Sequence, residues 1–296
     1  MKSKDSDSSR PAQLVAVHGR GVIAAKKQVA TADDLGLTRG DGVFDATRVV
    51  TASDGVSQVD HLELHLARLD RSLHKLAGEH TDLDAWRALV EEATSAWRHP
   101  GEAILKLMHT RGSESAPGQP LLALTITPMS KKALAQREGL RVVTLCRGTA
   151  SDAHSDAPWL LGGVKTLSYA TNMAAGREAE RRGADDVLYT STDGYCLEGP
   201  TSSLVVARDG KLLTTPHGAT GILDSVTQHV IFERAAKDGW KTELHLMKPK
   251  DVLKADAAWL VSSGRGAAPI LELDGKDVPQ DAKLTRKVNK YAGFRG

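Results

Sequence analysis

Only two cysteines occur in this 296-residue sequence, Cys146 and Cys196, far apart and in no metal-ligand spacing. That argues against a disulfide scaffold and a structural zinc cage, and points to free thiols in a reducing compartment. Charge of one sign is also missing: 39 basic and 37 acidic residues leave a formal net charge of +2, with no long run that could track a phosphate backbone. A small-molecule partner is expected, and no nucleic acid. The first residues, Met1 to Pro11, are rich in Ser, Asp and Lys and lack the apolar core of a signal peptide or membrane anchor. Residues 1–12 therefore read as a mobile tail on a cytoplasmic protein that meets no membrane. No internal repeat or low-complexity tract interrupts the rest of the chain.

What is present is a chain long enough for two domains. Leu14 to Val17 reads as a strand that turns at Gly19–Gly21 into a second. A glycine-dense loop, Leu35 to Gly42, leads into a strand from Val43 to Val50. Leu62, Leu66, Leu69, Leu73 and Leu76 form a helical stripe within His61–Ala77, and Leu83–Trp97 is a second helix. Ala103–Met108, Leu121–Thr127 and Leu140–Leu145 read as strands. Between Cys146 and Pro158 the residues are small and polar without a period, so 146–158 is expected to link a smaller domain, 13–145, to a larger one, 159–296. The second half reads as a helix over Thr171–Arg182, a hairpin from Val187 to Leu197, a hairpin across Asp209-Gly210, a helix over Ser225–Lys237, and strands over Ala258–Ser262 and Ile270–Leu273. The expected fold class is α+β with mixed or antiparallel sheets and flanking helices.

Three groups carry chemistry. Lys165, in Val164-Lys165-Thr166-Leu167-Ser168-Tyr169, is a candidate amine nucleophile; Glu198 stands 33 residues later, and Asp224-Ser225-Val226-Thr227 is a polar helix start. An amine, a buried carboxylate and an anion site are what a protein needs to hold pyridoxal 5'-phosphate. His61 and His65 stand four apart on the first helix with Glu63 between them. The acid is out of the metalloprotease position and no third ligand is evident, so no metal is expected.

Together with Gly40-Asp41-Gly42-Val43-Phe44, His65-Leu66-Ala67-Arg68-Leu69 and Ser262-Ser263, these motifs stand in an order that resembles the class IV aminotransferases. These are the fold-type IV pyridoxal-phosphate enzymes: branched-chain aminotransferases, D-amino-acid aminotransferases and 4-amino-4-deoxychorismate lyases. The resemblance runs from about Leu35 to about Val278 and implies a two-domain, fold-type IV homodimer. It makes Lys165 the Schiff-base lysine and general base, and Glu198 the partner of the cofactor's ring nitrogen. Arg68, the backbone and hydroxyl of Val226 and Thr227, and Ser263 would bind the phosphate, and Tyr169 the phenolic oxygen. Three positions depart from the pattern. Ser225 stands where Gly is usual but can still cap a helix, Gln228 stands for a frequent Arg, and Ser203 for a frequent Asn.

Substrate recognition divides the family. The loop Ser113-Glu114-Ser115-Ala116-Pro117 lacks the Arg-x-His trap of D-amino-acid aminotransferases. Leu105-Lys106, Thr110-Arg111-Gly112-Ser113 and Ser262-Ser263-Gly264-Arg265-Gly266 look like the lyase pattern. The resemblance thus favours 4-amino-4-deoxychorismate lyase, releasing pyruvate and 4-aminobenzoate for folate synthesis, with a D-amino-acid or branched-chain aminotransferase as the alternative. Lys106, Arg111 and Arg265 are the candidate cations for the substrate's carboxylates. Phe44, on the strand that lines the cofactor in relatives, is the remaining candidate contact, with packing as its other reading.

Overall fold

The computed structural model describes residues 13–294, so the expected tail lies outside the described residues. The first sheet contains β1 (Leu14–Val17), β2 (Gly21–Ile23), β3 (Gly42–Thr51), β4 (Ser57–Val59), β5 (Gly101–Thr110) and β6 (Leu121–Pro128), in the order β2-β1-β6-β5-β3-β4 with every neighbour antiparallel. The supposed loop 35–42 opens with one helical turn, α1 (Leu35–Thr38), because the Asp34 carboxylate accepts from the amides of Gly36 and Leu37. Helices α2 (Leu62–Ala77) and α3 (Leu83–Ala96) cover the sheet. Leu66, Leu69 and Leu73 of α2 are fully buried against Leu105, Leu107 and Leu124 of the sheet, each worth about 1.5–3 kcal/mol relative to exposure. Gly78, left-handed at φ 71°, ends α2, and the Asp82 carboxylate caps α3.

The second sheet runs β11-β10-β9-β12-β13-β7-β8, with β14 beside β13. Its strands are β7 (Leu140–Cys146), β8 (Asp186–Thr190), β9 (Ser203–Arg208), β10 (Lys211–Thr214), β11 (Lys241–Leu244), β12 (Ala257–Ser262), β13 (Gly266–Leu273) and β14 (Lys276–Asp277). It is mixed: β7 runs parallel to β8 and β13, β10 parallel to β11, and the other pairs are antiparallel. Around it lie α4 (Lys131–Ala135), α5 (Ala170–Arg181), α6 (Val226–Lys237), α7 (Pro249–Val252) and α8 (Ala282–Tyr291).

The second sheet also takes in a strand that precedes the expected linker. The segment Leu140–Cys146, expected to close the first domain, is hydrogen-bonded between β13 and β8. The chain therefore crosses after Pro128, and 146–158 comes after a strand of the second sheet. Alternation reveals an extended segment; it does not say which open edge the segment joins. Tyr195–Leu197 is likewise less regular than expected, keeping only the isolated bridge Thr190–Cys196. Helix α8 is not evident from the sequence pattern, because its stripe is thin: Val288 and Tyr291 are buried among lysines and an arginine.

Candidate active site

A cavity of about 970 Å³ is lined by residues of both sheets. Lys165 reaches it through a short strand-like contact with the start of β3. The amide of Phe44 donates to the Lys165 carbonyl at 3.0 Å and that of Leu167 to the Gly42 carbonyl at 2.9 Å. Gly42 permits this approach, since a Cβ there would stand 2.6 Å from the His109 carbonyl oxygen and 2.8 Å from a Leu167 methyl. Gly40, at φ 69°, turns the chain against Ser168. The Lys165 ammonium lies 4.5 Å from the centroid of Phe44 and 5.6 Å from that of Tyr169, whose rings meet edge to face. Burial, then the charges of Arg68 and Lys106, lower its pKa to about 8, against the opposing pull of Asp45 and Glu198. A neutral amine is thereby within reach at neutral pH.

Glu198 comes after the fully buried Cys196 and Leu197, with its carbonyl accepting from the amide of Tyr189 at 2.9 Å. One carboxylate oxygen accepts from the amide of Leu223 at 3.1 Å. Burial raises its pKa to about 7, although Leu223, Lys165, Arg147 and Arg68 oppose the rise. A carboxyl so poised ionises readily once a cationic partner is placed on it.

At the other end, Arg68 projects from α2 and is almost wholly buried. Its fork, expected to face an anion, is largely taken by Asp45 of β3: Nε and Nη2 each donate to that carboxylate at 2.8 Å. Nη1 reaches the Asp224 carbonyl at 3.2 Å, at the start of α6. Asp45 is fully buried, which by itself would raise its pKa; Arg68 and His65 instead hold it well below the usual carboxylate range. His65 Nδ1 bonds Asp45 at 2.7 Å, and its Nε2 lies 3.3 Å from Ser263 Oγ, which is 3.0 Å from Thr227 Oγ1. Ser225, the departure from the family's glycine, is the N-cap of α6, accepting from the Gln228 amide at 3.3 Å. Ser225, Thr227 and Ser263 all line the cavity, while the Val226 side chain is buried and leaves only its backbone to serve.

The remaining candidates divide. Tyr169 lines the cavity, but its hydroxyl donates to the Pro200 carbonyl at 2.7 Å, and burial pushes its pKa to about 12. Phe44 and Lys106 line the cavity together, the exposed Lys106 ammonium 5.8 Å from the Phe44 centroid. Arg111 is not brought to the wall and pairs with Glu79 at 3.2 Å. Arg265 reaches the wall, but its guanidinium is spent on Asp186 at 2.6 Å and Gln136 at 3.2 Å. Sequence reasoning missed Arg147, Thr149 and His154, all of which line the cavity from the supposed linker. Arg147 stacks on Tyr189 at 4.7 Å and donates to Asn172 at 3.0 Å. A long structureless stretch inside a compact half was the available signal, since such loops are commonly functional.

Residues 42–273 match the family model of the class IV amino-transferases. The chain belongs to this family. It is 39% identical over 258 residues to the bifunctional aminodeoxychorismate lyase / D-amino acid transaminase of Mycobacterium tuberculosis, covering 84% of this chain and 87% of the relative. Among solved structures, a hypothetical aminotransferase from M. tuberculosis superposes with a TM-score of 0.89 at 36% identity, covering 95% of this chain and 98% of that one. A fold IV transaminase from Curtobacterium pusillum gives 0.87 at 40% identity, covering 95% and 97%. The fold is therefore the α+β, fold-type IV architecture expected, and this class IV enzyme uses pyridoxal 5'-phosphate. The residues present fit that group. The cavity holds an amine of lowered pKa, a carboxyl of raised pKa, and a hydroxyl pair beside a buried arginine. Among the described residues, Ser202 Oγ and Thr149 Oγ1 in the cavity wall are buried without a partner, leaving polar atoms for a ligand to satisfy.

Proposed function

We propose that this enzyme acts on 4-amino-4-deoxychorismate, yielding 4-aminobenzoate and pyruvate, with transamination of D-amino acids as a second activity of the same site. The observation that carries the first reading is Lys106: an exposed ammonium on the cavity wall next to Phe44, with no acidic partner among the described residues. A substrate bearing two carboxylates has use for such a cation. The second reading is favoured by the 39% identical relative, whose name carries both activities.

When bound, pyridoxal phosphate supplies an electron sink conjugated with the carbon that bears the substrate's amine. The protein's own groups do the rest. In this reading Arg68 Nη1, the start of α6 and the Ser263–Thr227 hydroxyl pair hold the phosphate. Glu198 keeps a proton on the ring nitrogen. Lys165, as a neutral amine, would take the proton from the amine-bearing ring carbon. The carbon–oxygen bond to the enolpyruvyl group breaks, the ring becomes aromatic, and enolpyruvate gains a proton to leave as pyruvate. Tyr169, anchored on Pro200, and Phe44 flank the lysine and limit its swing.

The enzyme is further read as a cytoplasmic homodimer, in keeping with its free thiols and with apolar side chains exposed on the cavity wall, Met173 at 56% and Leu160 at 47%, and with Trp159, next to Leu160 in the chain, at 75%. The activity is tested by paired assays, one with aminodeoxychorismate alone and one with D-alanine plus 2-oxoglutarate. 4-Aminobenzoate and pyruvate are expected from the first, and D-alanine turnover from the second at a lower rate. Lys165→Ala should lose both. Lys106→Ala should raise KM for aminodeoxychorismate about tenfold, as loss of one charge-assisted contact does. No aromatic product from the first mixture would sink the lyase reading; an unchanged KM would remove Lys106 from it.

A further inference from the structure

The groups assigned to the phosphate come from three parts of the chain: Arg68 of α2, the start of α6, and Ser263. Arg68 and His65 are held by Asp45 of β3, whereas Ser263 sits in the turn between β12 and β13. That turn, residues 263–265, contains Gly264, and Gly266 opens β13 at φ 71°, so its own sequence gives it little stiffness. His65 Nε2 and Thr227 Oγ1 reach the Ser263 hydroxyl at 3.3 and 3.0 Å, and those contacts keep their register only if the backbone of the turn is itself held in place.

The residues just after α8, Gly293 and Phe294, together with Asn289 of α8, contact both the β3 side and this turn. The Phe294 ring is buried with the Arg48 guanidinium 3.7 Å and the Arg137 guanidinium 4.9 Å from its centroid. Both arginines bind Glu102 of β5: Arg137 with two bonds at 2.8 and 2.6 Å, Arg48 at 3.2 Å. Arg48 also takes Asp60 at 2.7 Å, so two cations meet two carboxylates around one ring. On the first-sheet side, Arg48 is three residues along β3 from Asp45 and donates to the Gly293 carbonyl at 2.9 Å. On the turn side, Arg137 donates to the Gly264 carbonyl at 2.7 Å. Asn289 of α8 holds both backbone groups of Ala267, at 2.9 and 3.0 Å. A Cβ on Gly266 would come within 3.1 Å of the Phe294 ring, so the ring is packed directly on the turn.

We propose that Phe294, gripped by Arg48 and Arg137, is a positioning residue that sets the enzyme's affinity for the cofactor's phosphate through Ser263. It touches neither cofactor nor substrate. The proposal rests on the reading of Ser263 as a phosphate contact. Its signature is selective: loss of the clasp weakens binding of pyridoxal phosphate while sparing pyridoxal, which has no phosphate. General loosening of the protein would weaken both.

The test titrates full-length enzyme, stripped of cofactor, with each of the two aldehydes. Phe294→Leu should weaken pyridoxal phosphate about tenfold and pyridoxal by no more than about twofold, and Phe294→Tyr should restore the parent preference. Arg137→Gln, which removes the bond to Gly264 while leaving the ring, should shift the preference in the same direction and stands in if the Phe294 variants do not fold. In a Ser263→Ala background the Phe294→Leu effect should fall below about twofold, the mark of two residues acting through one contact. Equal weakening of both aldehydes, or an undiminished effect without the Ser263 hydroxyl, would overturn the clasp. If Ser263→Ala lowers the preference but Phe294→Leu and Arg137→Gln do not, the clasp falls and the phosphate reading stands. If Ser263→Ala itself leaves the preference unchanged, that reading fails and takes the clasp with it.

Discussion

Lys165 and Glu198 have pKa values displaced toward each other, one down to about 8 and the other up to about 7, chiefly by burial. Each is costly to the protein in its charged form, since burial in both cases disfavours the charge. For Glu198 this fixes the sign of the pH dependence. The folded state retains a proton that the unfolded chain gives up near the ordinary glutamate value of about 4.3. The stability contributed is therefore fully present below that value and is lost as pH rises through about 7. In the stripped enzyme, Glu198→Gln is expected to raise Tm by about 2–4 °C at pH 8, with the gap closing near pH 5. The glutamine oxygen can still accept from Leu223. A gap of the same size at both pH values would show that burial of charge is not the cause. The stability gain should be accompanied by loss of turnover.

At the scale of elements, the site depends on how closely the 165–168 segment lies along β3. That approach is possible because Gly42 has no side chain, and the atom a Cβ would meet is a backbone oxygen of β5, which cannot rotate away. Gly42→Ala is expected to cost about 1–3 kcal/mol in urea unfolding and to reduce the fraction of lysine-linked cofactor at saturation. A change within about 0.5 kcal/mol and full linkage would mean that the segment accommodates the methyl by sliding. Helix α2 illustrates a second element effect. Its apolar stripe packs on the sheet, and that packing turns His65 and Arg68 onto the buried Asp45. The same stripe that makes the helix legible thus fixes the buried end of the cavity. By contrast, the 146–158 segment has no stripe to read, and its cavity-lining residues Arg147, Thr149 and His154 emerge only from its path after β7.

At the scale of the whole molecule, Trp159, Leu160 and Met173 are exposed apolar side chains that a second copy would cover in the proposed homodimer. Sedimentation velocity is expected to give a species of twice the 31.6 kDa chain mass, and Trp159→Glu to shift it toward the monomer. A parent protein that sediments as a monomer at micromolar concentration would end this reading. Arg265 shows why function is hard to place at this scale from a motif alone. It stands in the expected turn and reaches the cavity wall, yet Asp186 of β8 claims its guanidinium at 2.6 Å. A sequence shows that a cation is near; only the packed structure shows whether an anion has already taken it. Arg111, paired with Glu79, is a second case.

The sequence by itself determined the local matters. The leucine stripe made α2, the glycine-spaced alternation made β3, and the ordered motifs around Lys165, Glu198 and Ser225 carried the resemblance to the class IV family. These arise from short-range sterics, periodicity and residue chemistry, which need no knowledge of partners. Only the tertiary structure decided which edge β7 joins, which cations are free, and how the residues just after α8 reach across to the Ser263 turn. Those outcomes depend on contacts between residues far apart in the chain: Arg48 and Gly293 are separated by 245 positions. Competition among several charged groups for one partner is resolved in three dimensions, where distance and burial choose the pair.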